Sequence, residues 1–371
     1  MSPGKSEMKI AWISFGFREY SINHVGALAE DHDLLLVLPV SEDSGLNEIE
    51  DPRVSVYFFR NARLRQPLRQ LRQCLAIVRK IRDFEPDVVH FQQGHLWFNF
   101  AIPALKRYPL VMTIHDPRRH PGDSESKKTP QWIQDFGFRL ADRVIVHGKK
   151  LVDVVRDDIG IPEDRIDVIP HIALGALEPA APRAEADHDV LFFGRIWPYK
   201  GLEYLIMAEP LISKQIEDVR ITIAGRGEDF DRYRRMMINP ERFEVHNSWI
   251  SDSTRDDLFQ RAAVVVLPYV SATQSGVVPV AYSFGKPVVV TDVGALSDTV
   301  DHGGTGLIVP PGNVRALADA IITLLRDKKS RRQMGANARR KVEEELAPDV
   351  VARCTAETYG SAIRSRESEK R

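Results

Sequence analysis

The sequence predicts an α/β protein built as two doubly wound parallel-sheet domains facing across a cleft. Three observations carry this. Short runs of Val, Ile and Leu alternate with helix-length segments along nearly the whole chain. The runs are apolar throughout, as in strands buried on both faces. A stretch rich in Ala and Pro, residues 173–188, interrupts the series near its middle, and 371 residues are enough for two cores.

The first series opens with a strand at Lys9–Ser14, the Phe15-Gly16-Phe17 turn and a helix over Ser21–Glu30. Strands follow at Leu34–Leu38 and Val54–Phe59. Leu64–Phe84 reads as a helix in which Leu64, Leu68, Leu71, Leu75, Val78 and Ile81 recur at spacings of three and four. Its other face carries Arg63, Arg65, Arg69, Arg72, Arg79, Lys80 and Arg82. That composition suits an anionic membrane surface, and equally the solvated outer face of an α/β domain. Further strands are Asp87–Phe91, Leu110–Ile114, Arg143–His147 and Ile166–Ile169. The second series has strands at Val190–Phe193, Val219–Ala224, Arg242–His246, Ala263–Leu267, Val288–Thr291 and Gly306–Val309. Helices are expected at Val314–Arg326, Ala338–Glu345 and Val350–Ser365, with a frayed SRESEKR tail. The domains are therefore residues 1–172 and 189–345, with 173–188 as linker and 346–371 as a terminal helix.

Composition narrows the class. With 43% hydrophobic and 28% charged residues the chain reads as soluble and globular, and its net charge of −1 gives no global pull toward nucleic acid. Cys74 and Cys354 are far apart and are expected to be free thiols in a reducing compartment. The first residues lack the apolar core of a signal peptide, and no apolar run reaches membrane-spanning length. A cytoplasmic protein is expected, peripheral on the inner face of the plasma membrane if the basic helix binds lipid.

Two turns in the second half suit a phosphate. After the strand that ends at Pro268, a polar turn through Thr273, Gln274, Ser275 and Gly276 leads into a helix starting at Val277. Free N–H groups and the positive end of a helix dipole meet there. Its plain alternative is a capped helix with nothing bound. After Phe193, Gly194-Arg195 and Lys200-Gly201 put two cations in another tight turn, where a guanidinium fork and an ammonium can neutralise a diphosphate. Gly225 and Gly227 lack the third glycine of a dinucleotide fingerprint. In the first half, His115 and Asp116 follow a strand directly and His120 lies four residues on. A histidine at the mouth of a cleft can donate to a sugar hydroxyl or move a proton. His90, His95, His147 and His171 also end or follow strands, so several together are expected to make a polar pocket wall. No acid or Cys accompanies them at metal-ligand spacing.

Phe193-Gly194-Arg195 through Lys200-Gly201 resembles the F-x-G-R-x-x-x-x-K-G motif of retaining glycosyltransferases of the GT-B fold, family 4. Gly285-Lys286-Pro287-Val288-Val289, Asp292-Val293-Gly294 and residues 303–311 continue the match in order. Ile166–Pro170 and Trp249–Asp252 fall at the family's interdomain crossing and base-binding turn. The resemblance implies a UDP- or GDP-linked sugar donor held by the C-terminal domain. Arg195 and Lys200 would grip the diphosphate, with Gly194, Gly225, Trp249, Ser251, Thr273, Gln274, Ser275, Gly276 and Val277 around the donor. His115 would stand near the transferred sugar. The acceptor, a saccharide or lipid-linked molecule, would lie against the N-terminal domain near Gly16, His95, Asp116 and His120. The terminal helix would cross back to that domain. No metal and no cofactor beyond the nucleotide sugar is implied. One departure is clear: where the family carries two glutamates eight positions apart, this chain has Ala272 and Val280. That puts the usual sugar and ribose contacts in doubt and keeps two rivals open. One is a catalytically silent nucleotide-sugar-binding or scaffold partner; the other is an epimerase or phosphorylase of the same fold.

Overall fold

The computed structural model describes residues 7–40, 50–120, 129–174, 184–227 and 229–369. The chain divides into two compact units. One is formed by residues 1–119, 125–172 and 347–371, the other by residues 120–124 and 173–346.

The first unit carries a seven-stranded sheet in which every pairing is parallel. Its elements are β1 (Lys9–Ser14), α1 (Arg18–Leu28), β2 (Asp33–Pro39), β3 (Val54–Phe59), α2 (Pro67–Phe84), β4 (Val88–Gln92), β5 (Leu110–Thr113), α3 (Gln131–Arg139), β6 (Arg143–Val146), α4 (Lys150–Asp153) and β7 (Ile166–Val168). The strand order is β3-β2-β1-β4-β5-β6-β7, so the sheet winds outward in both directions from the β1–β4 pair. The central strands are buried along nearly their whole length, which is why they read as mostly apolar runs.

The second unit has six parallel strands in the order β10-β9-β8-β11-β12-β13. It comprises β8 (Asp189–Phe193), α5 (Leu202–Ser213), β9 (Arg220–Ala224), α6 (Asp231–Arg234), β10 (Phe243–His246), α7 (Asp252–Arg261), β11 (Val264–Leu267), α8 (Val277–Ser283), β12 (Val288–Thr291), α9 (Leu296–Thr299), β13 (Gly306–Val309), α10 (Val314–Arg326) and α11 (Lys328–Lys341). One face packs β8, β9 and α5 with α10; the other packs β11 and β12 with α7 and α8. Asn313 and Asp327 cap α10 and α11 by accepting from Ala316 and Ser330 backbone N–H groups, 3.0 and 2.9 Å away.

Two expectations need correction here. The buried stripe of α2 is Gln70, Cys74, Ile77, Val78 and Ile81, whereas Leu68, Leu71 and Leu75 face solvent. Helix α2 carries two apolar ridges at the same spacing, and the one with the β-branched residues packs on the sheet. Helix α12 (Pro348–Glu369) continues into the SRESEKR tail as far as Glu369 in place of the expected fraying, and residues 370–371 lie outside the described residues. This helix belongs to the first unit, packed on α1. Thr355 accepts from His24 at 2.9 Å, and Tyr359 accepts from His90 at 2.5 Å.

Of the expected linker, residues 175–183 lie outside the described residues. Its end is tied to the second unit. The buried Arg331 holds Glu185 at 2.9 Å and Asp187 at 2.8 Å, and Lys286 reaches Glu185 at 3.1 Å. Ala173 N–H donates to the Leu346 carbonyl, closing the other end on the same unit. Cys74 and Cys354 are both free. No described helix is long and apolar enough to cross a membrane.

Candidate functional site

In the second unit, the strand order turns back at β8 and β11, which pair side by side and parallel, while the chain winds outward from them in both directions. The turns leaving these two strands are the two singled out by sequence. Open α/β sheets bind ligands at this edge. Gly194 leaves β8 at φ 117°, a conformation that favours glycine. A Cβ there would stand 3.9 Å from Lys200 Nζ and 3.7 Å from Val277, so the turns meet.

Tyr269 is their common centre. The buried Lys200 Nζ donates to the Tyr269 hydroxyl at 2.6 Å, and it also lies 4.0 Å from the ring centroid. Ser275 Oγ is 3.4 Å from the same hydroxyl and accepts from Val277 N–H at 3.2 Å. Burial pushes the Tyr269 phenol up to about 12, while Ser275 and the charge of Arg195 pull the other way. Tyr269 is thus a neutral acceptor for the ammonium. Arg195 is exposed and reaches the Tyr199 hydroxyl at 3.5 Å. Gln274 Oε1 is buried with no hydrogen-bond partner among the described residues. Gly276 has a helical φ of −65°, so its backbone conformation does not demand glycine.

Gly225 leaves β9 against the same turn, at φ 149°. A Cβ on it would meet the Gly194 carbonyl oxygen at 1.9 Å, so only glycine fits. Trp249 follows β10 and is 75% exposed. Ser251 caps α7 by accepting from Thr254 N–H at 3.2 Å. His120, expected on the acceptor side, groups with the second unit. Its ring stacks on Tyr199 at 4.6 Å, and its two nitrogens lie 3.2 Å from Thr273 Oγ1 and 3.4 Å from Ser271 Oγ.

In the first unit, Gly16, His95, His115 and Asp116 do follow the C-terminal ends of β1, β4 and β5. Gly16 is exposed, with open space where a Cβ would stand. His95 stacks on Phe15 at 4.0 Å, and burial lowers it to about 4. Gln93 Oε1 accepts from the backbone N–H groups of His115 and Asp116, at 2.9 and 3.2 Å. His115 is not at an open mouth. It is fully buried, with Phe17 stacked on it at 3.9 Å. This corrects its expected exposure.

The expected histidine wall is likewise an interior cluster. His24, His90, His115, His147 and His171 are all buried around Trp12 and Tyr20. A relay of donors runs through it: His115 Nε2 to Gln92 Oε1 at 2.7 Å, Gln92 Nε2 to His90 Nε2 at 2.9 Å, and His90 Nδ1 to Tyr359. Among the described residues no His, Cys, Asp or Glu group is arranged to hold a metal ion. Sequence reasoning missed Tyr269, Tyr199, Phe17 and Gln92. Tyr269 had a signal, since it stands directly after the Pro268 that ends a strand.

Comparison with known proteins agrees with this architecture. Residues 16–172 match the model described as Glycosyltransferase Family 4, and residues 187–327 match that described as Glycosyl transferases group 1. The D-inositol 3-phosphate glycosyltransferase of Pseudarthrobacter chlorophenolicus is 29% identical over 316 residues, spanning 77% of this chain and 74% of that protein. The glycogen synthase of Mycobacterium tuberculosis is 26% identical over 298 residues, spanning 76% and 70%. Among solved structures, sucrose-phosphate synthase from Thermosynechococcus elongatus superposes with a TM-score of 0.75 at 18% identity, covering 97% of this chain and all of that one. Anabaena HepE in complex with UDP gives 0.71 at 20%, covering 95% and 100%. With two parallel-sheet units and these matches along most of its length, the chain is a glycosyltransferase of the GT-B fold, of the group 1 and family 4 type.

Proposed function

We propose that this glycosyltransferase moves a hexose from a UDP- or GDP-linked donor to a saccharide or lipid-linked acceptor, with retention of configuration and without a metal ion. The observation that carries this reading is the meeting of Lys200, Arg195 and the Ser275–Val277 turn around Tyr269 at the β8–β11 edge. The anomeric C–O bond to the diphosphate breaks, and a bond to the acceptor oxygen forms on the same face of the sugar. Negative charge grows on the leaving diphosphate, where one ammonium and one guanidinium replace a divalent ion. The acceptor proton passes to the leaving phosphate oxygen. Ala272 and Val280 offer no carboxylate to the donor, so the buried, unpartnered Gln274 Oε1 takes a sugar hydroxyl and Thr273 supports it. The membrane surface expected for α2 belongs to the same reading, as the place where a lipid-linked acceptor resides.

Calorimetric titration of UDP and GDP into wild type, Arg195→Ala and Lys200→Ala tests it. Each substitution is expected to weaken binding at least about tenfold, since each removes a charge-assisted contact. Equal binding by all three proteins defeats the diphosphate assignment. Turnover unchanged by EDTA is expected, and its loss defeats metal independence. A silent scaffold is the second reading, motivated by the two missing glutamates. Donor consumption with a panel of acceptors, abolished by Lys200→Ala, removes it. Conversion of the free nucleotide sugar with no acceptor present would assign an epimerase instead.

A further inference from the structure

Three consecutive crossovers of the first unit lie on one face of its sheet. The connections β3 to β4, β4 to β5 and β5 to β6 all step the same way along the strand order. Right-handed crossovers therefore stack α2, the short turns Phe98–Phe100 and Ile102–Leu105, and α3 side by side. Contacts agree. Trp97 Nε1 donates to the Leu64 carbonyl just before α2, and Arg82 near its far end donates to the Ala104 carbonyl. On the other flank, Asn99 Nδ2 donates to the Ile133 carbonyl in α3.

Large apolar side chains line the outside of this face. Leu68, Leu71 and Leu75 are 71%, 54% and 60% exposed, at spacings of three and four that make one ridge of α2. Phe100 and Trp132 are 52% and 63% exposed, and Phe100 touches both Trp132 and Phe136. Basic residues accompany them. From Arg63 to Arg82 the chain carries seven Arg or Lys and no acid, in a protein whose net charge is −1. Arg69 and Arg72 are exposed on α2 beside the leucines, and Arg65 is exposed just before its start. A purely solvated face has no use for three outward leucines and an outward Trp. A second copy docked here would bring two predominantly basic helices together, five cations against the one acid Asp83 in each, which like-charge repulsion opposes.

We propose that this face docks on an anionic lipid bilayer. Helix α2 lies in the plane of the interface with Leu68, Leu71 and Leu75 in the acyl boundary. Phe100 and Trp132 enter at headgroup level beside it, and the arginines hold the phosphates. The inference extends the membrane part of the reading above, from charge alone to apolar insertion by two elements. Its test needs no turnover, so it stands or falls apart from sugar transfer.

The experiment is co-sedimentation with phosphatidylcholine vesicles, with and without phosphatidylglycerol. It compares wild type, Leu68→Ser/Leu71→Ser/Leu75→Ser and Arg65→Gln/Arg69→Gln/Arg72→Gln. UDP titration and thermal melting report that each variant is folded. Wild type is expected to bind the anionic vesicles. The leucine variant is expected to partition at least about tenfold more weakly, and the arginine variant about tenfold more weakly with a smaller salt dependence. Wild type that stays in the supernatant overturns the proposal. So does a leucine variant that binds like wild type, which would leave only electrostatic adsorption. A wild-type dimer that the leucine substitutions split, read by analytical ultracentrifugation, overturns it in favour of a second copy.

Discussion

Acidification should unfold the first unit through its histidines. His24, His90, His115, His147 and His171 are buried, and burial is the largest cause holding each below its ordinary value of 6.5. His24 and His147 are lowered to about 3 and His171 to about 4, and the mutual repulsion of the rings depresses His24, His90, His115 and His147 further. The folded unit therefore keeps these rings neutral at pH 5.5, while the unfolded chain protonates them. Stability is intact above the unfolded value and falls as pH drops below it. At pH 5.5 each ring costs about 1.4 kcal/mol, and five cost about 7 kcal/mol. That is comparable to the whole stability of a domain of this size, at roughly 5–15 kcal/mol. The expected drop in melting temperature between pH 7.5 and pH 5.5 is about 14–28 °C. Thermal melts by near-ultraviolet circular dichroism, where Trp12 and Tyr20 report the cluster, measure it. A shift under about 5 °C would refute the burial argument, because it would mean that the folded unit accepts these protons.

Other substitutions probe single contacts. Gly225→Ala puts a Cβ 1.9 Å from the Gly194 carbonyl oxygen, so it should cost about 2 kcal/mol or more of stability and displace the Gly194–Arg195 turn. Urea unfolding and UDP titration read the two effects. Tyr269→Phe removes the 2.6 Å hydroxyl acceptor of the buried Lys200 Nζ while keeping the ring beneath it, and should lower kcat/KM about tenfold with the fold intact. An unchanged kcat/KM would place Tyr269 outside the donor site. Phe17→Ala takes the stacked ring off His115 and should speed the modification of that imidazole by diethylpyrocarbonate at least about fivefold, as mass spectrometry of the digested protein would show.

The strands were legible because parallel strands covered on both faces favour Val, Ile and Leu over most other residues. The two turns that meet at Tyr269 were legible for a related reason. The chain leaves β8 at Gly194 with φ 117°, a conformation that L side chains rarely adopt, and that need is written as glycine. What escaped were properties set by partners distant in sequence. Helix α2 shows two apolar ridges of equal period, and only the packing of Cys74, Ile77, Val78 and Ile81 on the sheet turns Leu68, Leu71 and Leu75 outward. His115 reads as an exposed strand end, yet its depth depends on Phe17, which leaves β1 in a left-handed conformation and lays its ring across the imidazole. Tyr269 is 69 residues from Lys200, and the pairing of β8 with β11 alone makes them neighbours. The misread positions thus share a physical origin. Periodicity and turn chemistry report how a segment satisfies itself, whereas exposure and protonation are decided by which segments the sheet order brings alongside. The leucine ridge and the histidine cluster are two outcomes of that one rule, since the same sheet order leaves one set of side chains without a cover and buries the other beyond the reach of water.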